Sequence, residues 1–236
     1  MSPEKPNPAV LFDIDGTLVD SNYLHVHAWL RAFDEEGLPV DGWRIHRGIG
    51  MDGTSLVRTL AEDAGQDVLD RLKDGHSRFY KESSSLLTLL PGARDLLRWV
   101  ALQGLQVVLA TSAPEDELAT LREVLDCEDI ISAVTSSEDV DTAKPKPDIV
   151  QVALDRAGVS AQEAVFVGDA VWDCEAARRA GVPSIAVLSG GVSRAELLDA
   201  GASAVFGDAG DLLANMGATR IDELASRLSP MRQIQS

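Results

Sequence analysis

Val10-Leu11-Phe12-Asp13-Ile14-Asp15-Gly16-Thr17-Leu18 is an apolar run that ends in two carboxylates one residue apart and meets a glycine at once. Two acids at the end of a buried strand repel each other, and burying them is costly unless a cation or strong hydrogen bonds compensate. Side chains alternate along a strand only while it stays extended. A turn at Gly16 therefore brings both carboxylates toward one crevice, one as a nucleophile and the other as a proton carrier. Residues 9–12 read as a buried strand whose carboxyl end carries chemistry.

Outward from this run, further apolar stretches at 105–110, 130–134, 164–167, 185–188 and 204–206 read as strands buried on both faces. Amphipathic patterns at 92–103, 114–125, 147–157, 173–180 and 194–200 alternate with them, which predicts a parallel sheet with right-handed crossovers. Gly104, Gly158, Gly181 and Gly201 fall where a helix hands over to the next strand. Residues 20–85 break the alternation. They hold only helical patterns, at 22–36, 54–64 and 67–82, punctuated by glycines, and predict a helical insertion large enough for its own small core. The expected organisation is a core of residues 1–19 and 86–236 with a cap of residues 20–85. The insertion leaves and re-enters near the carboxyl end of the first strand, so it is expected over the crevice where open α/β sheets bind ligands. Thr17 to Asp20 on one side, and Ser83-Ser84-Ser85 with Leu90-Pro91-Gly92 on the other, are the hinge candidates. The chain is expected to close with a short helix over 222–228 and a frayed tail.

The chain has 236 residues, 45% apolar and 25% charged, enough to bury a sizeable core. Its net charge of −17 opposes binding to nucleic acid or anionic lipid and suits small-molecule chemistry, in which anionic substrates need a local positive patch. The first residues lack a signal peptide's apolar core, and no run approaches the ~18 apolar residues of a membrane span. A cytoplasmic protein with no nucleic-acid or membrane partner is expected; the sequence leaves the oligomeric state open, with a monomer favoured. Cys127 and Cys174 are too few for a disulfide framework or a thiolate metal site and read as small buried residues.

Three further sites fall at strand ends or in the adjoining loops. Thr111-Ser112 offers hydroxyls and backbone N–H groups just before a helix that opens with Pro114, a place to hold a phosphate or simply a helix cap. Lys144 lies in Asp141-Thr142-Ala143-Lys144-Pro145-Lys146-Pro147, where prolines stiffen the backbone and aim the side chain, with Lys146 competing for the role. Gly168-Asp169-Ala170-Val171-Trp172-Asp173 places two acids four residues apart at a helix start. Alone they suit helix capping; with Asp13 and Asp15 they make a hard-oxygen pocket that suits Mg²⁺.

In order, Asp13-x-Asp15-Gly16-Thr17, Thr111-Ser112, Lys144-Pro145 and Gly168-Asp169-x-x-x-Asp173 resemble the signature of the haloacid dehalogenase superfamily, in its phosphoglycolate-phosphatase and β-phosphoglucomutase-like branch. The likeness runs from Ala9 to about Gly207 and includes an insertion where that branch keeps a helical cap. It implies an α/β fold with a three-layer Rossmann-like parallel core in strand order 5-4-1-2-3, and a cap domain inserted after the first strand. It also implies that Asp13 attacks phosphorus, that Asp15 is the acid and base, and that Mg²⁺ is held by Asp13, the Asp15 carbonyl, Asp169 and, through water, Asp173. Lys144, Thr111, Ser112 and the loop at Gly16 then cradle the phosphate.

Among members of the branch, Asp15 disfavours dehalogenation, which lacks the second acid. A phosphonoacetaldehyde hydrolase would need a small residue at that position and a Schiff-base lysine in the cap. His25 falls where the mutases carry a cap histidine, and Arg47-Gly48-Ile49-Gly50 resembles their substrate loop. However, the fourth motif follows the phosphatase pattern, and the mutases' cap lysine aligns near His76, with Lys73 and Lys81 nearby. The expected activity is hydrolysis of a small phosphorylated metabolite, such as a sugar phosphate or phosphoglycolate. A mutase and a non-catalytic phosphometabolite-binding domain are the alternatives. Among the cap candidates His25, Trp29, Arg47, Ile49, Met51, His76, Arg78 and Lys81, His25 and Arg47 are the residues expected to read the leaving group.

Overall fold

The computed structural model describes residues 6–139, 144 and 146–228; residues 141–143 and Pro145 of the lysine loop, and the expected tail after 228, lie outside the described residues. The chain opens with β1 (Ala9–Phe12) and continues through β2 (Val19–Asp20) into four helices, α1 (Asn22–Glu35), α2 (Gly42–Gly48), α3 (Gly53–Leu60) and α4 (Gln66–Ser83). It returns through β3 (Thr88–Leu89), and the alternation then proceeds as α5 (Ala93–Leu102), β4 (Gln106–Ala110), α6 (Glu115–Leu125), β5 (Ile131–Thr135) and α7 (Asp148–Ala157). The remaining elements are β6 (Ala164–Gly168), α8 (Val171–Arg179), β7 (Ser184–Val187), α9 (Arg194–Ala200), β8 (Ala202–Phe206), α10 (Ala209–Ala214) and α11 (Arg220–Leu228).

Six strands form a parallel sheet in the order β5-β4-β1-β6-β7-β8. This is the implied five-strand order with β8 added beyond β7. Every residue of β1 is buried, and the alternation of its side chains divides them between two helical layers. Val10 and Phe12 join the cluster that holds Leu96 and Leu97 of α5 and Leu118 and Leu121 of α6, while Ala9 and Leu11 pack with Ile149 and Ala153 of α7 and Ala176 and Ala177 of α8. Burial on both faces is why these strands are unbroken apolar runs.

The insertion is built chiefly on α1 and α4, which pack along each other and bury Trp29, Phe33, Leu72 and Phe79. It has no separate core, because these side chains belong to the same contiguous cluster as Val10 and Phe12. Two features were not anticipated. The helix α2 buries only Ile45 and so carries no readable periodicity. The two crossings between insertion and sheet pair as an antiparallel ribbon, Val19 opposite Leu89 and Asp20 opposite Thr88, with the Leu90 N–H donating to the Leu18 carbonyl at 2.9 Å. The expected helix at 54–64 stops at Leu60, and α8 begins two residues before Asp173. Cys127 and Cys174 are free and buried, and no helix among the described residues is long and apolar enough to cross a membrane.

Candidate active site

Phe12 pairs with Leu109 of β4 and with Val167 of β6, so the residues just past these positions, Asp13, Thr111 and Asp169, emerge side by side at the carboxyl edge of the sheet. The connections from β1 and β6 diverge here, the place at which open α/β sheets leave a crevice. After Asp13 the chain folds back on itself. The N–H groups of Leu18 and Val19 both donate to the Ile14 carbonyl, and the Gly16 N–H donates to the Val19 carbonyl. Gly16 has φ +71°, and a Cβ there would lie 2.4 Å from Asp169 Oδ2 and 2.2 Å from Asn22 Nδ2. Only glycine permits both the turn and this approach.

Lys144 anchors the charge of the site. Its ammonium is buried, 2.5 Å from Asp13 Oδ1 and 2.7 Å from Asp173 Oδ1. Burial disfavours that charge, but Asp13 and Asp173 outweigh it and hold the amine above its ordinary range. Asp173 spends its other oxygen on the N–H groups of Asp169, at 3.2 Å, and Ala170, at 3.1 Å, so it serves as both helix-terminal acceptor and lysine partner. Asp169 accepts from Thr17 Oγ1 at 3.0 Å and from Asn22 Nδ2 at 2.9 Å.

Asp13, Asp169 and Asp173 are buried, with carboxylate oxygens within 4.8 Å of one another. Burial, with repulsion among the acids, pushes Asp13 and Asp169 well up from the ordinary carboxylate range. A hard divalent cation relieves that condition, and an all-oxygen donor set fits Mg²⁺. Asp15 behaves oppositely. Burial would raise it, but hydrogen bonding and charge from His25, with the Ser21 hydroxyl at 2.5 Å, hold it below its ordinary value.

Between sheet and insertion lies a cavity of about 770 Å³, lined by Asp13, Asp15, Thr111, Ser112, Lys144 and Asp169 on the core side and by His25, Trp29 and residues 49–56 of the insertion. Thr111 is buried and its Oγ1 accepts from the Ala113 N–H at 3.0 Å, a local turn that aims the segment at the cavity. Ser112 Oγ is buried with no hydrogen-bond partner among the described residues. Arg58, Lys73 and Lys146 also line the cavity, a local positive patch on a strongly acidic protein.

The expected cap residues separate into two groups. His25 reaches the site, with Nε2 3.3 Å from Asp15 Oδ1. Ile49, Met51, Trp29 and His76 line the cavity as well. Arg47 does not: α2 turns its guanidinium to Glu196, at 2.5 Å, and this partner, with Ser193, draws the Glu196 carboxyl down to about 2. Its carbonyl accepts from Trp172 Nε1 at 3.2 Å, and neighbouring His46 Nε2 donates to the Gly190 carbonyl at 2.8 Å, so this stretch docks the insertion onto the core outside the cavity. Arg78 and Lys81 line a separate shallow groove. Residues with no sequence signal complete the arrangement: Asn22, Glu117 and Gly190, where a Cβ would lie 1.7 Å from Asp169 Oδ2.

The comparisons with known proteins agree with this geometry. The family model for haloacid dehalogenase-like hydrolases matches residues 10–187. A phosphoglycolate phosphatase of Rhodospirillum rubrum is 33% identical over 210 residues, covering 85% of this chain and 87% of that protein. A phosphorylated carbohydrates phosphatase of Thermotoga maritima is 30% identical over 202 residues, covering 84% and 93%. Among solved structures, a hydrolase from Pseudomonas syringae superposes with a TM-score of 0.85 at 36% identity, covering 89% of this chain and 98% of that one. With its motifs at the ends of β1, β4 and β6 and a family match across most of its length, the chain belongs to the haloacid dehalogenase-like hydrolases.

Proposed function

We propose that the protein is a Mg²⁺-dependent phosphatase of a small phosphorylated metabolite, a sugar phosphate or a phosphoglycolate-like monoester, working through an aspartyl-phosphate on Asp13. The observation that carries this reading is the placement of Asp13 between Lys144, Asp169 and the cavity, with Asp15 on the cavity wall beside it. The relatives named as phosphatases of phosphoglycolate and of phosphorylated carbohydrates support the substrate class.

In this mechanism a carboxylate oxygen of Asp13 attacks phosphorus in line. Asp15 protonates the departing alkoxide and then takes a proton from the water that opens the acyl phosphate. Lys144 neutralises Asp13 and a phosphoryl oxygen, while Thr111 and the free Ser112 hydroxyl donate to the phosphate. Asp13, Asp169 and the Asp15 carbonyl would hold Mg²⁺, with Asp173 beside them, and the bound ion would supply charge neutralisation for the approach of an anion to an anion. Residues 20–85 act as the cap that keeps bulk water from the cavity.

The test is phosphate release from a panel of small phosphomonoesters, with and without Mg²⁺, with β-glucose 1-phosphate followed in parallel for conversion to glucose 6-phosphate. Steady Mg²⁺-dependent release, abolished in Asp13→Asn, is expected. Isomerisation with little free phosphate would identify a mutase. Silence on every compound, or full activity in excess EDTA, would refute the phosphatase reading.

A further inference from the structure

We infer, resting on the reading of the cavity as the seat of a phosphomonoester, that Glu117 determines specificity. Beside His76 it accepts a hydrogen bond from a hydroxyl of the leaving group, and so selects a hydroxyl-bearing substrate such as a sugar or polyol phosphate. Glu117 belongs to no motif and has no part in the chemistry described above.

Glu117 stands in the first turn of α6, the helix that follows Thr111, Ser112 and Ala113 on the core side of the cavity. That turn holds three acids, Glu115, Asp116 and Glu117, and acids there suit the positive end of a helix. Two of them serve in the ordinary way. Glu115 accepts from Ser136 Oγ at 3.1 Å, and Asp116 lies exposed on the shallow groove beside Arg78 and Lys81. Glu117 turns inward instead: it is 7% exposed, lines the cavity and accepts no hydrogen bond among the described residues. A helix end does not require that burial, and a buried carboxyl without donors is costly. Burial pushes it up to about 7, and the charge of His25 offsets only part of that rise.

Across the boundary between α6 and α4, His76 Nδ1 lies 3.9 Å from Glu117 Oε1. That gap is too wide for a hydrogen bond, yet one oxygen about 2.8 Å from each atom would fill it. A hydroxyl bridges the two because it donates and accepts at once. The His76 ring is held flat against Trp29, with ring centres 4.0 Å apart, so the pair forms a fixed wall. This wall lies on the side of the acid that releases the leaving group: His76 is 3.0 Å from His25, and His25 is 3.3 Å from Asp15. An alcohol whose oxygen takes a proton from Asp15 therefore extends along the wall toward Glu117. Arg58 and Lys73 also line the cavity, but Arg58 is exposed and Lys73 is already paired with Asp70 at 3.0 Å. They draw an anion toward the site rather than hold a second one inside it.

The experiment sets two hydroxylated esters, glucose 6-phosphate and glycerol 3-phosphate, against propyl phosphate, 2-aminoethyl phosphate and phosphoglycolate. In the parent, kcat/KM for the better hydroxylated ester should exceed that for propyl phosphate about tenfold or more. Glu117→Leu, which keeps the volume but offers no polar atom, should erase most of that ratio, and Glu117→Gln, whose amide oxygen still accepts, should keep most of it. A ratio that Glu117→Leu leaves unchanged, even with every ester slowed alike, would make Glu117 a structural support and overturn the proposal. A parent that prefers phosphoglycolate to both hydroxylated esters, or a preference for 2-aminoethyl phosphate that Glu117→Leu removes, would overturn it too. Titration calorimetry of the same esters with Mg²⁺, on Asp13→Asn protein with and without Glu117→Leu, reads the discrimination without turnover. A parent that turns over nothing would count against the phosphatase reading, and calorimetry would then decide the hydroxyl contact alone, with binding indifferent to the hydroxyl overturning it.

Discussion

Lys144→Met tests the electrostatic core of the site. In the structure the ammonium has 1% of its side-chain surface exposed and touches two buried carboxylates, Asp13 at 2.5 Å and Asp173 at 2.7 Å. Removing one member of a buried ion cluster costs about 3–5 kcal/mol, because the partners remain buried without compensation. For a chain of this size each kcal/mol lowers the melting temperature by roughly 2–4 °C, so a fall of roughly 6–20 °C is expected. The deficit should depend on pH with a definite sign. Without the lysine, Asp13 and its neighbours rise further and take up protons that the unfolded chain does not hold, and stability then falls as pH rises above the ordinary carboxylate range. The variant should therefore lose more relative to the parent at about pH 8 than at about pH 5. Mg²⁺ should restore part of the loss, about 2.7 kcal/mol at a hundredfold excess over its dissociation constant, since it binds only the folded site. Scanning calorimetry at both pH values, with and without Mg²⁺, decides the matter. A melting temperature unchanged at the higher pH, or a deficit that shrinks as pH rises, would refute the reasoning.

Gly190→Ala should displace Asp169, because the new Cβ would lie 1.7 Å from its Oδ2; a loss of about tenfold or more in Mg²⁺ affinity by titration calorimetry is expected with the fold retained. Arg47→Ala should leave KM within about twofold, since its partner is the half-exposed Glu196 and such pairs contribute little; a tenfold rise in KM would return Arg47 to the substrate.

The fold was legible because both its faces are buried. Residues 9–12 form an apolar run ended by Asp13, and the strand occupies that run to the residue. Three of the four motifs were legible because each ends a strand or opens a helix, where turn residues and charges stand out against apolar neighbours, and the fourth because Lys144 stands among prolines. The insertion was harder to read: α2 buries one side chain, and β2 and β3 are two residues long, so neither repeats often enough to show a period. Arg47 was expected in the pocket because a glycine-flanked basic residue looks like a substrate loop, but the docking of α2 points it at Glu196. Asn22 and Glu117 carried no signal. Their roles arise from contacts between elements distant in the chain, such as the 147 positions between Asn22 and Asp169.

The two-residue ribbon of β2 and β3 has a consequence for how such a chain can change over time. Because Val19 sits opposite Leu89 and Asp20 opposite Thr88, the points where the insertion departs and returns are already neighbours, about 5 Å apart, and a turn of a few residues could join them. Everything between them can thus lengthen, shorten or be exchanged without altering the register of the six-stranded sheet, on whose edge Asp13, Thr111 and Asp169 stand. The limit on that freedom lies in Asn22 and His25, the two residues of α1 that reach back to Asp169 and Asp15. A replacement insertion that kept the ribbon and the first turn of α1 would inherit the bond-breaking apparatus intact and need only supply new walls for the cavity.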